Sequence, residues 1–247
     1  MRKTFAAFLL TALSFDGAPN RPADTIRFGP NGAFRLEYTS TSFGREASGV
    51  IEVVKGRVKK YPLPQSSFAT YARLRPGELK NMQISAKDYE RLEWIGPHQV
   101  EGSRLWFGKQ FYDGEGMTGV GAFGYFDTDT RRYHLFSPPE VAPYETSAIL
   151  VEPDSVWLGL DSFVEDISAV PGGLIRWSRT THEIRHYKLE FVISGIERRG
   201  NSLYLKTRGG YAILRNDILQ RFALRKGSDG KFRSVAIRKF PPQPSLY

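Results

Sequence analysis

Cysteine is absent from the 247 residues of this chain. Its absence excludes a disulfide framework, a thiol nucleophile, a thiolate metal site and a lipid-modified N-terminal cysteine. Long apolar runs are also scarce. The longest, at positions 4–15, is too short to span a bilayer and follows Arg2 and Lys3. This pattern predicts a signal peptide over residues 1–18, a periplasmic or secreted protein, and no transmembrane segment in the mature chain.

Acidic residues are few in the C-terminal third of the chain. The net charge is +9, and residues 171–247 hold 16 Lys/Arg against 5 Asp/Glu. A basic surface attracts anionic partners. For an exported protein we expect a protein or glycan of the cell envelope as the partner, and no nucleic acid. The alternative is a solvated basic face that keeps the protein soluble.

Aromatic residues and glycine are plentiful, and they recur in a fixed pattern. An aromatic residue is followed fifteen positions later by a glycine, then by an apolar run and an aromatic-x-Leu triplet. The last copy is compressed. The aromatic, the glycine and the closing aromatic of each copy are Phe34, Gly49 and Tyr61; Trp106, Gly121 and Tyr133; Trp157, Gly172 and Tyr187; and Tyr204, Gly210 and Phe222.

Each copy reads as four short antiparallel strands separated by turn residues. Repeated four-stranded units predict an all-β fold, a small β-propeller with about four blades. Within one domain at 19–247, we expect blades at 22–64, 98–138, 147–190 and 191–240, the last with a closing strand. The run at 85–94 favours a short helical insertion within 65–97. Alternatively, residues 20–95 form a small separate domain.

The third copy carries a resemblance to a known family. Residues 155–160 (SVWLGL), 172–177 (GGLIRW) and 185–189 (RHYKL) resemble the blade repeat of two-component-sensor-type bacterial propellers. The resemblance is good over 98–224 and weaker over 25–64. It implies a propeller fold but no single activity, because such repeats occur in sensors, binding modules and enzymes. The chain is far shorter than the many-bladed sensor ectodomains.

Three long connections, at 39–48, 109–120 and 161–171, are expected to project from one end of the propeller. Their aromatic and acidic residues suit a sugar, a peptide or a cation, and otherwise they are solvated loops. The candidate ligand-binding residues are Phe43, Glu46, Tyr112, Asp113, Glu115, Phe163, Glu165 and Asp166.

These residues favour a non-enzymatic binding module for a protein, glycan or other envelope component. One alternative is a metal-assisted hydrolase or lyase that uses the acidic loop residues. Another is a structural partner that docks its basic half onto an acidic surface. We predict no catalytic residues and no cofactor, with Ca²⁺ the only candidate ion.

No metal ligands are predicted either. His182 and His186 would lie about 13 Å apart in an extended strand, too far to share one metal ion. Asp127 and Asp129 lack the later glycine and glutamate of a calcium loop, so a hairpin turn is expected there.

Overall fold

The computed structural model describes residues 26–41, 44–64, 93–111, 121–164, 167–207 and 209–238. These residues form β-strands joined by turns, with a single 3-10 turn at Pro30–Gly32 and no α-helix among them. The all-β prediction is therefore confirmed. The strands follow one another as antiparallel meanders, which we group into four units.

Each unit contains strands that pair with their neighbours in sequence. Unit 1 comprises β1 (Arg27–Phe28), β2 (Phe34–Thr41), β3 (Gly44–Val54) and β4 (Arg57–Pro62). Unit 2 comprises β5 (Glu93–Glu101), β6 (Arg104–Phe111), β7 (Phe123–Asp127) and β8 (Arg132–Phe136). Unit 3 comprises β9 (Glu145–Val151), β10 (Ser155–Val164), β11 (Ile167–Ser178) and β12 (Ile184–Tyr187). Unit 4 comprises β13 (Gly195–Arg199), β14 (Ser202–Thr207), β15 (Gly210–Arg215), β16 (Ile218–Lys226) and β17 (Phe232–Ile237).

Tight turns set the register of these meanders. Lys55 and Gly56 join β3 to β4 with φ of 48° and 76°, and Asn216 and Asp217 join β15 to β16 with φ of 49° and 64°. Two consecutive residues with positive φ form the turn whose twist matches antiparallel strands. As a result, the connections between first and second strands and between third and fourth strands lie at one end of each unit, the turn end. The connection between second and third strands lies at the opposite end, the loop end.

Side chains alternate between the two faces of each sheet, and both faces of the inner units are covered. In β6, Trp106 points toward unit 3, whereas Leu105 and Phe107 point toward unit 1. We call the face toward the next unit in sequence the forward face and the opposite face the backward face. Alternation with a period of two lets one strand contribute to two different cores.

Three hydrophobic cores result, one at each junction between successive units. Junction 1/2 is centred on Phe34, Val50, Leu105, Phe107 and Phe126. Junction 2/3 is centred on Trp106, Phe123, Val156, Leu158 and Trp177. Junction 3/4 is centred on Trp157, Leu174, Ile193, Leu203 and Leu214. No core within the described ranges joins unit 4 back to unit 1.

The sheets are also linked in one place by backbone pairing. Ala47 in β3 is bridged to Ile95 in β5, so units 1 and 2 share one sheet, while units 3 and 4 each form their own. The sheets do not close into a ring through strand pairing in the described part of the chain.

The prediction of a helix at 85–94 is wrong for its last two residues. Glu93 and Trp94 belong to β5, where they pair with Phe111 and Gln110 of β6. Glu93 and Ile95 are buried while Trp94 is half-buried, so this segment follows the period of a strand. Residues 65–92, the rest of the predicted insertion, lie outside the described residues.

Two of the three predicted long loops are instead extensions of hairpin strands. In unit 1, β2 continues to Thr41 and β3 begins at Gly44, so only residues 42–43 separate them. In unit 3, β10 and β11 leave only residues 165–166 between them. Register shifts in both hairpins, at Glu37/Tyr38 and between Leu160 and Val164, show that each strand contains an irregularity where the polar composition suggested a loop.

Candidate functional site

An ionic contact accompanies the hydrophobic core at every junction. At junction 1/2, Arg131 of unit 2 donates from Nε and Nη2 to the Glu52 carboxylate of unit 1, at 3.1 and 2.9 Å. The Tyr61 hydroxyl donates to the same carboxylate at 2.7 Å. The arginine of the later unit thus binds a glutamate on the forward face of the earlier unit.

Junction 2/3 repeats this arrangement with a tryptophan in place of the tyrosine. Arg179 of unit 3 donates to Glu101 of unit 2 at 2.6 and 2.8 Å, and the Trp106 indole donates to Glu101 at 3.1 Å. The Arg179 guanidinium lies 5.1 Å from the centre of the Trp106 ring. A cation above an indole face is attracted by the negative charge of that face.

Junction 3/4 has the same three groups. The Trp157 indole donates to Glu152 at 2.7 Å, and Arg198 of unit 4 donates to Glu152 at 2.7 and 2.8 Å. Arg198 also lies 5.7 Å from the centre of the Trp157 ring. In both tryptophan junctions the glutamate precedes the tryptophan by five residues, because the turn between the first two strands brings these positions together.

These glutamates are held in the ionised form. Hydrogen bonds from arginine lower the pKa of Glu52, Glu101 and Glu152 below the ordinary value of 4.5. A carboxyl group with a lowered pKa is a good anchor for a guanidinium group and a poor proton donor near neutral pH. Their role is therefore to hold the arginines in place.

A cleft opens at the turn end of junction 3/4, next to this contact. Its volume is about 560 Å³, and its walls come from the turns of units 3 and 4. Three arginines and the carboxylates that hold them dominate the lining, together with aromatic and amide side chains. These residues include Glu152, Asp154, Trp157, Arg176, Arg185, Tyr187, Arg198, Asn201, Asn216 and Asp217.

The arginines of the cleft differ in how firmly they are held. Arg198 binds Glu152, whose side chain is only 17% exposed. Arg176 and Arg185 bind Asp154 and Asp217 at 3.1 and 2.9 Å in pairs that are about half exposed or more. Exposed ion pairs contribute little stability and exchange their partners easily. The two outer guanidinium groups can therefore turn toward an incoming anion.

Aromatic residues give the cleft a firm wall. Trp157 and Tyr187 stack with their ring centres 6.1 Å apart, and the Tyr187 hydroxyl donates to Asp217 at 2.9 Å. Burial, followed by this hydrogen bond to a carboxylate, raises the pKa of Tyr187, so its hydroxyl stays protonated at neutral pH. The wall thus places a protonated hydroxyl next to the two more exposed guanidinium groups, which lie 5.6 Å (Arg176) and 4.9 Å (Arg185) from the ring centres of Trp157 and Tyr187.

The sequence prediction placed binding at the opposite, loop end. Of its residues, Glu46 lies half-buried in β3 opposite Thr39, and Phe163 lies in β10. The others lie outside the described residues: Phe43, Tyr112, Asp113, Glu115, Glu165 and Asp166. The loop-end site stays a prediction.

Sequence reasoning missed the cleft because its residues belong to strands and turns, where charged residues are expected to be solvated. The available signal was the glutamate five residues before Trp106 and before Trp157, at Glu101 and Glu152. The arginine that completes each contact comes from a different unit, at a separation of 78 or 46 residues. No local pattern connects residues so far apart.

The histidines and the Asp127 turn have structural contacts. His182 stacks on Trp177 with ring centres 4.9 Å apart, and the His186 ring lies 2.7 Å from the Gly172 carbonyl oxygen. Asp127 accepts hydrogen bonds from the backbone N–H groups of Asp129 and Thr130 at 2.9 and 3.0 Å, as expected for a hairpin turn. No group of metal ligands occurs in the ranges that the structure covers.

A buried ion pair lies toward the loop end of unit 2. Lys109 contacts the Glu93 carboxylate and donates to the Pro64 carbonyl oxygen at 3.2 Å. Burial lowers the pKa of Lys109 to about 7, while the adjoining carboxylate favours the charged ammonium. Both side chains are inaccessible to solvent, so this pair tethers β5 and β6 and cannot meet a ligand.

The chain matches no protein-family description and no curated protein. Among solved structures it is similar to the extracellular domain of the proposed one-component system BT4673 from B. thetaiotaomicron, with 10% identity and a TM-score of 0.40 over 83% of this chain. It is also similar to the extracellular domain described as the hybrid two-component system BT4673, with 12% identity and a TM-score of 0.39 over 85% of this chain. The chain spans 29% and 30% of the lengths of those two structures.

Within the described residues, no helix is long and apolar enough to cross a membrane.

Proposed function

We propose that this protein is an exported, non-enzymatic binding module whose four units are blades of a β-propeller. We further propose that it binds an anionic glycan of the cell envelope in the cleft at junction 3/4. The propeller proposal rests on the four antiparallel meanders and on the cores between their faces. Such stacking is how propeller blades cover one another.

The convergence of Arg176, Arg185 and Arg198 on one cleft carries the glycan proposal. The planar guanidinium fork binds a carboxylate or sulfate through two parallel hydrogen bonds. Asn201 and Asn216 line the same cleft and carry amides that can donate to and accept from sugar hydroxyls. The excess of positive charge at 171–247 would draw an anionic chain toward this half of the molecule.

The test is calorimetric titration with polygalacturonate, a carboxylated polysaccharide, and with neutral dextran. Arg176→Gln and Arg185→Gln should each weaken polygalacturonate binding about tenfold, the effect of one lost charge-assisted hydrogen bond. Arg57→Gln, on exposed unit 1 surface, is the matched control and should bind as the wild type does. Equal affinity in all three variants, or equal binding of dextran, would exclude the cleft as an anionic-glycan site.

The same mixtures test the non-enzymatic part of the proposal. Polygalacturonate incubated with the protein, with Ca²⁺ or with chelator, should keep its chain length and yield no new reducing or unsaturated ends. Cleavage that stops on adding chelator would support the metal-assisted hydrolase or lyase instead.

A further inference from the structure

The charged side chains that line the cleft at junction 3/4 cancel one another. They are three arginines and three carboxylates: Arg176, Arg185, Arg198, Glu152, Asp154 and Asp217. An anionic ligand therefore meets no excess of positive charge in the lining itself. It gains a guanidinium partner only where it takes the place of one of these carboxylates.

Two of the arginines form a pair on neighbouring strands. Arg176 in β11 and Arg185 in β12 lie directly opposite each other, and like charges in this arrangement repel. The Asp154 carboxylate lies 3.1 Å from Nη2 of Arg176, and the Asp217 carboxylate lies 2.9 Å from Nη2 of Arg185. Each arginine thus marks one anion position, and an aspartate of the chain itself fills it.

Aromatic rings keep both guanidinium groups on the same wall of the cleft. The Arg176 guanidinium lies against the Trp157 ring, and the Arg185 guanidinium lies against the Tyr187 ring. A cation is attracted to an aromatic face whether or not a carboxylate is also bound to it. Because the two rings stack on each other, the two anion positions stay next to one another when the aspartates leave.

The carboxylates differ in how easily they can be displaced. The side chains of Asp154 and Asp217 are 71% and 52% exposed, so water already solvates them and their ion pairs are weak. Glu152 is largely buried and accepts hydrogen bonds from both Trp157 and Arg198. A ligand therefore replaces the two aspartates and leaves Glu152 in place.

We propose that the cleft contains two neighbouring anion subsites, one at Arg176 and one at Arg185, each filled by an aspartate of the chain until the ligand binds. The ligand then carries two anionic groups, which displace Asp154 and Asp217 together. This inference rests on the proposed function. It narrows the ligand to an acidic glycan with at least two charged sugars, because a single acidic sugar can fill only one subsite.

Calorimetric titration with galacturonate and with trigalacturonate tests the two subsites. The trisaccharide should bind the wild type at least about tenfold more tightly, because only it can engage both arginines. Asp154→Asn and Asp217→Asn should each tighten trigalacturonate binding about two- to fivefold, the equivalent of one exposed ion pair. Asparagine has the shape of aspartate and tolerates the φ of 64° at position 217, so the turn is preserved.

Asp229→Asn is the matched control. Asp229 also forms an exposed ion pair, with Arg233 at 2.6 Å, but it lies outside the lining of the cleft. The substitution removes the same charge and should leave the affinity unchanged. In the background of Arg185→Gln, Asp217→Asn should lose its effect because its subsite is gone, whereas Asp154→Asn should keep its effect.

Several results would overturn the proposal. Wild-type affinity in Asp154→Asn and Asp217→Asn, with weaker binding in Arg176→Gln and Arg185→Gln, would remove the displaced aspartates but leave the proposed function standing. Equal affinity for galacturonate and trigalacturonate would mean a single subsite. Tighter binding in Asp229→Asn as well would mean that only net charge matters. No binding by any of these proteins would overturn this inference and the proposed function together.

Discussion

Replacing Trp157 by alanine should reveal how much a junction contributes to stability. The indole is 5% exposed, packs in the core of junction 3/4, and donates to Glu152 at 2.7 Å. Truncating a buried tryptophan costs about 3–5 kcal/mol of unfolding free energy, through lost burial and the cavity that remains. Glu152 keeps its two hydrogen bonds from Arg198, so the substitution leaves no unpaired buried carboxylate.

Tyr204 provides the matched comparison. It occupies the corresponding position on the forward face of unit 4, where it is only half-buried by the described residues. Tyr204→Ala should therefore cost about 1 kcal/mol, a typical value for a partly exposed side chain. Urea unfolding, followed by circular dichroism at a concentration where the protein is monomeric, measures both costs.

The difference between the two variants is the informative quantity. A loss below about 1 kcal/mol for Trp157→Ala would mean that the indole is not in a packed core. Equal losses of unfolding free energy in both variants would mean that unit 4 contributes nothing to the burial of Trp157. The interpretation that successive units stack on one another would then be wrong.

Two further predictions concern acid stability and one glycine. Because arginine lowers the pKa of Glu52, Glu101 and Glu152 in the folded protein, the stability they contribute is present above their ordinary pKa of 4.5 and is lost as the pH falls through the folded values. The urea concentration at the midpoint of unfolding should thus fall steeply below about pH 5 in the wild type, and less steeply in Glu152→Gln. If the midpoints of the two proteins fell in parallel with pH, this explanation would be wrong. Gly173 has a φ of 86°, and an added Cβ would overlap the Tyr187 carbonyl oxygen. Gly173→Ala should therefore lower the free energy of unfolding by more than Gly56→Ala does. Gly56 is the control because its φ is 76° but an added Cβ there would meet no other atom. Equal costs of about 1–2 kcal/mol for the two substitutions would show that only backbone strain matters.

The strands were largely predictable because their signals are local. Trp106 and Trp157 stand in apolar segments that follow polar turns, and the order of turn and strand determines the meanders. The hairpin extensions of units 1 and 3 were not predictable in this way. Polar residues such as Thr39 and Glu46 favour loops on composition, but cross-strand pairing with each other holds them in β2 and β3.

The cleft was less accessible to sequence reasoning for a different reason. Arg176 and Arg185 belong to the alternating pattern of β11 and β12 and look like ordinary solvated residues. Their convergence with Arg198 depends on how unit 3 packs against unit 4, a relationship that only the tertiary structure reveals. Arginines in strands next to a Glu-x₄-Trp pattern are the sequence feature to look for in similar chains.

The most direct test of the proposed function is an NMR titration of the tryptophan indole N–H signals with oligogalacturonate. The chain has four tryptophans, and Trp106 and Trp157 occupy equivalent places at two junctions, with only Trp157 among the cleft residues. Binding in the cleft should shift the Trp157 signal and leave that of Trp106 in place. An unchanged Trp157 signal at saturating ligand, or equal shifts of both signals, would contradict a binding site at junction 3/4.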